Sequence, residues 1–317
     1  MNVSLDLDYI SILGPTCSGK TQLALMLSHH LPIEVISVDS VSVYKGLDIG
    51  SAKPSKEEMG IVPHHLIDIC ELTEVFTVGQ FVERANTLIG QIKARGKLPV
   101  FCGGSIMYMR AFQENYQNLP VISSTVQKNI DDVLRDVGVG ALYEMLCQED
   151  PIMAKKLHPN DKQRIARALA VKRECGQSLS YYWSQQSSTP EFKGHDFLLM
   201  VDNRDKHRKR LADRVDHMLA QGLEEECERV LSRYGESIVE HPALRSIGYK
   251  EIMQHLCKKR ATKNVRDKII IASSQFVKRQ MTWLKSWPNA NSSQFCLYDD
   301  NPALSDIANS IVETVNR

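Results

Sequence analysis

Residues 14–21, GPTCSGKT, match the spacing G-x-x-x-x-G-K-[ST], and no other stretch restricts the fold as tightly. The pattern works only if a strand delivers the chain to Gly14 and a helix starts near Lys20. Backbone N–H groups and the helix N-terminus must converge on anionic oxygens. The flanks meet both demands: YISILG (9–14) is a short apolar strand, and Leu23, Leu27 and Leu31 recur at helical spacing between about Lys20 and His30. Such a loop holds a row of phosphates through Gly14, Pro15, Thr16, Cys17, Ser18, Gly19, Lys20 and Thr21, with the Thr21 hydroxyl offered to Mg²⁺. Alone it favours a small-molecule kinase or a nucleotide hydrolase.

The strand–helix alternation continues through the first hundred residues. EVISVDS (34–40), HHLIDI (64–69) and LPVFCGGS (98–105) read as further strands, and 78–96 as a helix. This predicts a parallel sheet covered by helices on both faces, with functional groups at the carboxyl ends of its strands. Strand signals fade from about Asn115 to His195, where VQKNIDDVLRDV, ALYEMLCQ and DKQRIARALAVKREC read as helices. FLLMVD (197–202) then rejoins the sheet, and 203–231 is a long helical pattern broken at Gly222. The fold class is therefore α/β, a P-loop-containing parallel sheet (1–114 and 196–317) with a mostly helical insertion domain (115–195). Beyond Trp287 the tail is weakly patterned.

At those strand ends stand Asp39-Ser40 and Gly103-Gly104-Ser105. Asp39 could ligate Mg²⁺, cap the next segment, or act as a general base beside the phosphates. The base is favoured, because no later strand ends in the hhhhDE pattern of an ATPase, and the glycines and Lys53 after it suggest a loop that wraps a ligand. Paired glycines allow close backbone approach to a ligand, and the Ser105 hydroxyl could donate to a phosphate or bridging oxygen.

Net charge is only +1 over 317 residues, yet the cations cluster at 151–175 and 245–287. That distribution points to a local anionic partner. Arg164 and Arg167 share a helix face, with Ile165, Ala168 and Leu169 packing away from it. Phe276, Trp283 and Trp287 alternate with Lys278, Arg279 and Lys285, as on a nucleic-acid-facing helix, although aromatics at that spacing also build cores. Eight cysteines without a C-x-x-C pair give no zinc spacing and no zinc-finger extension, and a disulfide framework is not expected. No secretory signal and no span long enough for a bilayer is visible, so a cytoplasmic location without membrane attachment is expected.

Taken in order, GPTCSGKT, VISVDS with VYKGLDIGSAKP, CGGS, HPNDKQRIARAL, RLADRVDHMLAQGLEEE, SIGYKE and KRQMTWLK resemble the bacterial tRNA dimethylallyltransferase (isopentenyltransferase) family from about Ile10 to Trp287. The resemblance implies transfer of a dimethylallyl group from dimethylallyl diphosphate to N6 of adenosine 37, in tRNAs reading codons that begin with U. The loop would then hold the donor's diphosphate with Mg²⁺, and Asp39 would be the general base. Ser105 replaces the family's usual threonine against the bridging oxygen, and Arg214 would bind diphosphate. By the same resemblance Asp39, Ser40, Val41, Ser42, Ser105, Gln163, Arg164, Ile165, Ala166, Arg167, Arg245, Ser246, Ile247, Gly248, Tyr249 and Lys250 contact the tRNA anticodon stem-loop. A further contact, basic in the family, falls near Gln127. A monomer is expected. A kinase and a non-enzymatic RNA-binding protein are the alternatives.

Overall fold

The computed structural model describes residues 7–115, 120, 122–185, 191–258, 264–288, 290–298 and 302–316. Lys259, Arg260 and Lys263 of the C-terminal basic block lie outside them. In chain order, β1 (Tyr9–Leu13) leads to α1 (Lys20–Ser28), β2 (Ile33–Val38), α2 (Lys56–Ile61), β3 (His64–His65), α3 (Val78–Ala94), β4 (Leu98–Gly103) and α4 (Ile106–Gln113). Four helices follow: α5 (Ser124–Glu149), α6 (Pro151–Lys156), α7 (Lys162–Cys175) and α8 (Leu179–Ser184). Then come β5 (Gly194–Val201), α9 (Arg204–Ala220), α10 (Leu223–Tyr234), α11 (Tyr249–Lys258), α12 (Val265–Lys285), β6 (Ser292–Leu297) and α13 (Leu304–Val315). The chain divides into two compact units, Met1–Phe112 with Glu191–Arg317, and Gln113–Pro190.

The first unit is built on a six-stranded sheet in the order β3-β2-β4-β1-β5-β6, with every neighbouring pair parallel. β1 and β2 are buried along their whole length, as strands covered on both faces must be. On one face Leu23 and Leu27 of α1 join Ile307 and Ile311 of α13 over Ile10, Ile12, Val35 and Phe197. The register sets Leu13 and Val38 both opposite Gly103. Gly14, Asp39 and Gly104 therefore leave the sheet side by side.

Two expectations need correction. The third strand is two residues long, because Leu66 and Asp68 take left-handed backbone angles and turn the chain away. Residues 68–70 then donate their N–H groups to the Ser42 and Val43 carbonyls. The tail beyond Trp287 is also structured: β6 extends the sheet beside β5, and α13 packs on α1.

The helical unit has its own core, with Ile130, Leu142, Leu146, Ile165, Leu169 and Val171 buried. α5 breaks at Gly138 (φ 80°), between the two helices read in the sequence. Buried Asp150 ties the unit together, its Oδ1 accepting from Met153 N and its Oδ2 from Ser180 N.

Candidate active site

The glycine loop bends between β1 and α1 around Lys20. Gly19 sits at φ 87°, a conformation that suits glycine, and a side chain there would run into Leu304 of α13. Lys20 Nζ donates to the carbonyls of Gly14 (3.0 Å) and Pro15 (2.8 Å) and lies 3.4 Å from Ser18 Oγ. No carboxylate pairs with it among the described residues. Burial therefore brings its ammonium down to about 8, with the neighbouring Arg214 charge acting in the same direction.

Asp39 is divided in use. Its Oδ1 accepts from Val41 N (2.7 Å) and Ser42 N (3.0 Å), fixing the turn that follows β2. Its Oδ2 has no protein donor among the described residues, and Asp39 lines the same cavity as Lys20. The capping role weighed for Asp39 thus occupies one oxygen and leaves the other open.

Ser105 is anchored by its backbone N–H to the Val38 carbonyl (3.1 Å), while its hydroxyl has no partner among the described residues. Only glycine fits at 103, because a Cβ would collide with that same Val38 carbonyl. Gln280 of α12 bridges the two loops. Its Oε1 accepts from Thr16 N (3.1 Å) and its Nε2 donates to Gly104 O (2.9 Å). Gln280 is 3% exposed, so neither end is free to turn away.

These groups line one cavity of about 870 Å³. Arg210 and Arg214, one turn apart on α9, also line it, and neither has a carboxylate partner among the described residues. Burial raises the Cys17 thiol while the Arg214, Lys20 and Arg210 charges oppose the rise, so all three cations act on the loop. Phe76, Tyr108, Met218, Ile269 and Phe276 supply an apolar wall.

A further wall is the 41–54 loop. Lys53, with its side chain 5% exposed, pairs with Asp48 (2.7 Å) and Asp68 (2.6 Å) and donates to Tyr44 O. The loop read as wrapping a ligand thus lines the cavity, and Lys53 holds it in shape through these ion pairs. Buried Glu226 of α10 accepts from the N–H groups of Asp48 (2.9 Å), Ile49 (2.9 Å) and Gly50 (3.2 Å) and from Tyr249 Oη (2.6 Å).

The expected site residues divide accordingly. Thr16 to Thr21, Asp39 to Ser42, Ser105, Arg214 and Arg245 to Gly248 all line the cavity. Ser42 is nonetheless buried, with its Oγ 3.2 Å from Ser37 Oγ. Tyr249 is corrected from an RNA contact to a buried partner of Glu226, because its phenol is consumed there. Arg245 pairs with Glu240 at 2.5 Å, and Lys250 is exposed.

In the helical unit Gln163 and Arg164 are exposed, but Ile165 and Ala166 belong to the core and present no side chain outward. Arg167 is half-buried and donates to Pro120 O at 2.8 Å, which leaves it less available than its spacing suggests. Gln127 donates to Asp131 Oδ1 one turn along α5. Of the aromatics, Phe276 lines the cavity, whereas Trp287 is core and donates to Asp196. Gln280, Glu226 and Arg210 are functional candidates that spacing alone did not single out.

A glycine loop at the end of a central parallel strand, beside cations without carboxylate partners among the described residues, places the chain among parallel-sheet α/β proteins whose cavity suits an anionic ligand. Residues 42–287 match the IPP transferase family, and the chain belongs to that family. It is 40% identical over 296 residues to tRNA dimethylallyltransferase 2 of Hahella chejuensis, covering 89% of each chain. Its structure is similar to the full-length tRNA isopentenylpyrophosphate transferase of Bacillus halodurans (TM-score 0.69, 32% identity, 97% of this chain and 96% of that one). It is also similar to a eukaryotic dimethylallyltransferase described as acting on tRNA (TM-score 0.79, 27% identity, 98% of this chain and 80% of that one).

Proposed function

We propose that this chain transfers a dimethylallyl group from dimethylallyl diphosphate to N6 of adenosine 37 in tRNAs reading codons that begin with U. The products are N6-isopentenyladenosine and diphosphate. One observation carries the chemistry: Lys20 and Arg214, without carboxylate partners among the described residues, share a cavity with an Asp39 Oδ2 and a Ser105 hydroxyl that are likewise unengaged there.

The donor's diphosphate lies along the glycine loop, where Lys20, Arg214 and the loop N–H groups stabilise the charge that grows as C1–O breaks. Ser105 Oγ donates to the departing bridging oxygen. Asp39 Oδ2 takes the proton from N6 as the N6–C1 bond forms, and Oδ1 stays in its turn. The Thr21 hydroxyl, with diphosphate oxygens and water, would hold a Mg²⁺ that neutralises the leaving group; a site supplied mostly by substrate suits that ion. Phe76, Tyr108 and Phe276 shield the allyl carbons from water. Adenosine 37 enters by leaving its stack, and basic residues of both units contact the RNA backbone.

The test is incubation with donor labelled in its allyl carbons, Mg²⁺ and unmodified tRNA. Label should reach the tRNA without ATP. If the label stays in the donor while ATP is consumed, the chain is a kinase or hydrolase and this reading fails.

A further inference from the structure

Tyr298 follows β6 in a left-handed backbone conformation (φ 82°), which is unusual and strained for an aromatic residue. A side chain held that way needs something to hold it. Its hydroxyl lies 2.7 Å from His207 Nδ1 and 3.5 Å from Arg210 Nη1, and the Arg210 guanidinium stands 5.7 Å from the ring centroid. His207 is 2% exposed, and Arg210 lines the cavity.

The donors and acceptors of this cluster are complementary. An arginine can only donate, so Tyr298 oxygen accepts from Arg210. The same hydroxyl meets His207 Nδ1, which accepts the phenol proton or donates its own according to the tautomer of the ring. His207 Nε2 is buried and makes no hydrogen bond of ordinary geometry among the described residues, while the Thr16 backbone of the glycine loop acts on the imidazole. Burial holds the imidazole neutral, at about 4, so Arg210 has no competing cation inside the cluster. Arg210 and Arg214 project from one face of α9 at i and i+4, and both act electrostatically on Cys17.

Building on the donor-binding reading above, we propose that Arg210 is a second guanidinium for the donor's diphosphate, with Tyr298 and His207 as positioning residues that aim it at the glycine loop. The tail after Trp287 thereby belongs to the site, because the hydroxyl that orients Arg210 comes from the turn after β6. Ring contact and hydrogen bond together restrict a side chain that would otherwise sweep through solvent, so less entropy is lost when the diphosphate arrives.

The test uses the full-length chain with Arg210→Ala, Arg210→Lys and Tyr298→Phe, and Lys20→Ala as reference. Inorganic pyrophosphate binding with Mg²⁺ is measured calorimetrically without tRNA, alongside donor KM, tRNA affinity and thermal unfolding. Arg210→Ala should weaken pyrophosphate binding and raise donor KM about tenfold or more, the scale of one charge-assisted hydrogen bond, with tRNA affinity within about twofold. Lysine should restore part of the loss, since it supplies charge without the planar fork. Tyr298→Phe should produce a smaller loss, about threefold, in the same two quantities. Wild-type pyrophosphate binding by Arg210→Ala, or a loss of tRNA affinity in its place, overturns the proposal, and an unaffected Tyr298→Phe removes the positioning role. If Lys20→Ala also binds pyrophosphate like wild type, the diphosphate reading itself falls.

Discussion

The two walls of the cavity treat their polar groups in opposite ways. On the glycine-loop side Lys20 has only carbonyl and hydroxyl partners, Arg214 has no carboxylate, and the Ser105 hydroxyl and Asp39 Oδ2 are unengaged among the described residues. On the 41–54 side Lys53 is neutralised by two aspartates, and the Glu226 carboxylate receives three backbone N–H groups and a phenol. Buried polar groups cost free energy unless paired. A wall that leaves them unpaired is completed by its ligand, whereas a wall that pairs them is scaffold. Lys20 and Lys53 are both lysines of one cavity, yet only Lys20 is available to an anion.

Asp39→Asn breaks the contrast most sharply, because it alters one oxygen's function and spares the other's. The amide oxygen still accepts from Val41 and Ser42, so the turn and tRNA affinity should persist. The single-turnover transfer rate should fall by ~10²–10⁴, the contribution of a positioned base. A variant retaining more than a tenth of the wild-type rate would show that Asp39 serves the turn alone.

Glu226→Gln attacks the other wall. An amide cannot accept on both of its atoms, so at least one of the four donors is left unsatisfied, at a cost of about 1–3 kcal/mol in stability. The 48–50 segment should loosen, lowering the unfolding midpoint and raising KM for tRNA while donor KM stays unchanged. A rise confined to donor KM would mean that the walls are not separable.

How much of this was legible in the sequence follows from distance along the chain. The glycine loop was readable because its parts lie within eight residues, and Asp39 and Ser105 were readable because strand ends mark them. Gln280 and Gly104 are 176 residues apart, and Glu226 meets Gly50 at the same separation, so no local spacing signals either bond. The C-terminal helix is a different failure: Leu304, Ile307, Ala308, Ile311 and Val315 follow helical spacing and could have been found. Ile165 and Ala166 show the opposite fault, since apolar periodicity places them in the core while a motif carried over as a block made them RNA contacts. The pairing of Lys53 was not legible, because its partner Asp68 becomes a neighbour only through the turn that shortens β3.

A pH profile sharpens the comparison through Lys20. Its folded-state value of about 8 lies below that of an ordinary lysine, so in the empty enzyme the cation predominates below pH 8 and is lost above it. The donor's diphosphate is ionised well before then. kcat/KM for the donor should therefore decline above about pH 8, approaching tenfold per unit, and Lys20→Arg should abolish that limb while lowering the plateau. The limb belongs to donor capture, so KM for tRNA should show no inflection there. An undiminished kcat/KM up to pH 10 would mean that Lys20 is not the titrating partner of the diphosphate.

Ser105→Thr should have the smallest effect. The hydroxyl that faces the leaving oxygen is retained, and the added methyl restricts χ1, so fewer rotamers compete with the productive one. The change in kcat should stay within about threefold, toward faster transfer, with donor KM unaffected. Ser105→Ala sets the scale, since losing an oxyanion-type donor costs ~10²-fold or more. If threonine is as damaging as alanine, the pocket lacks room for the methyl against the Val38 end of β2, and the serine is there for its size rather than its rotamers.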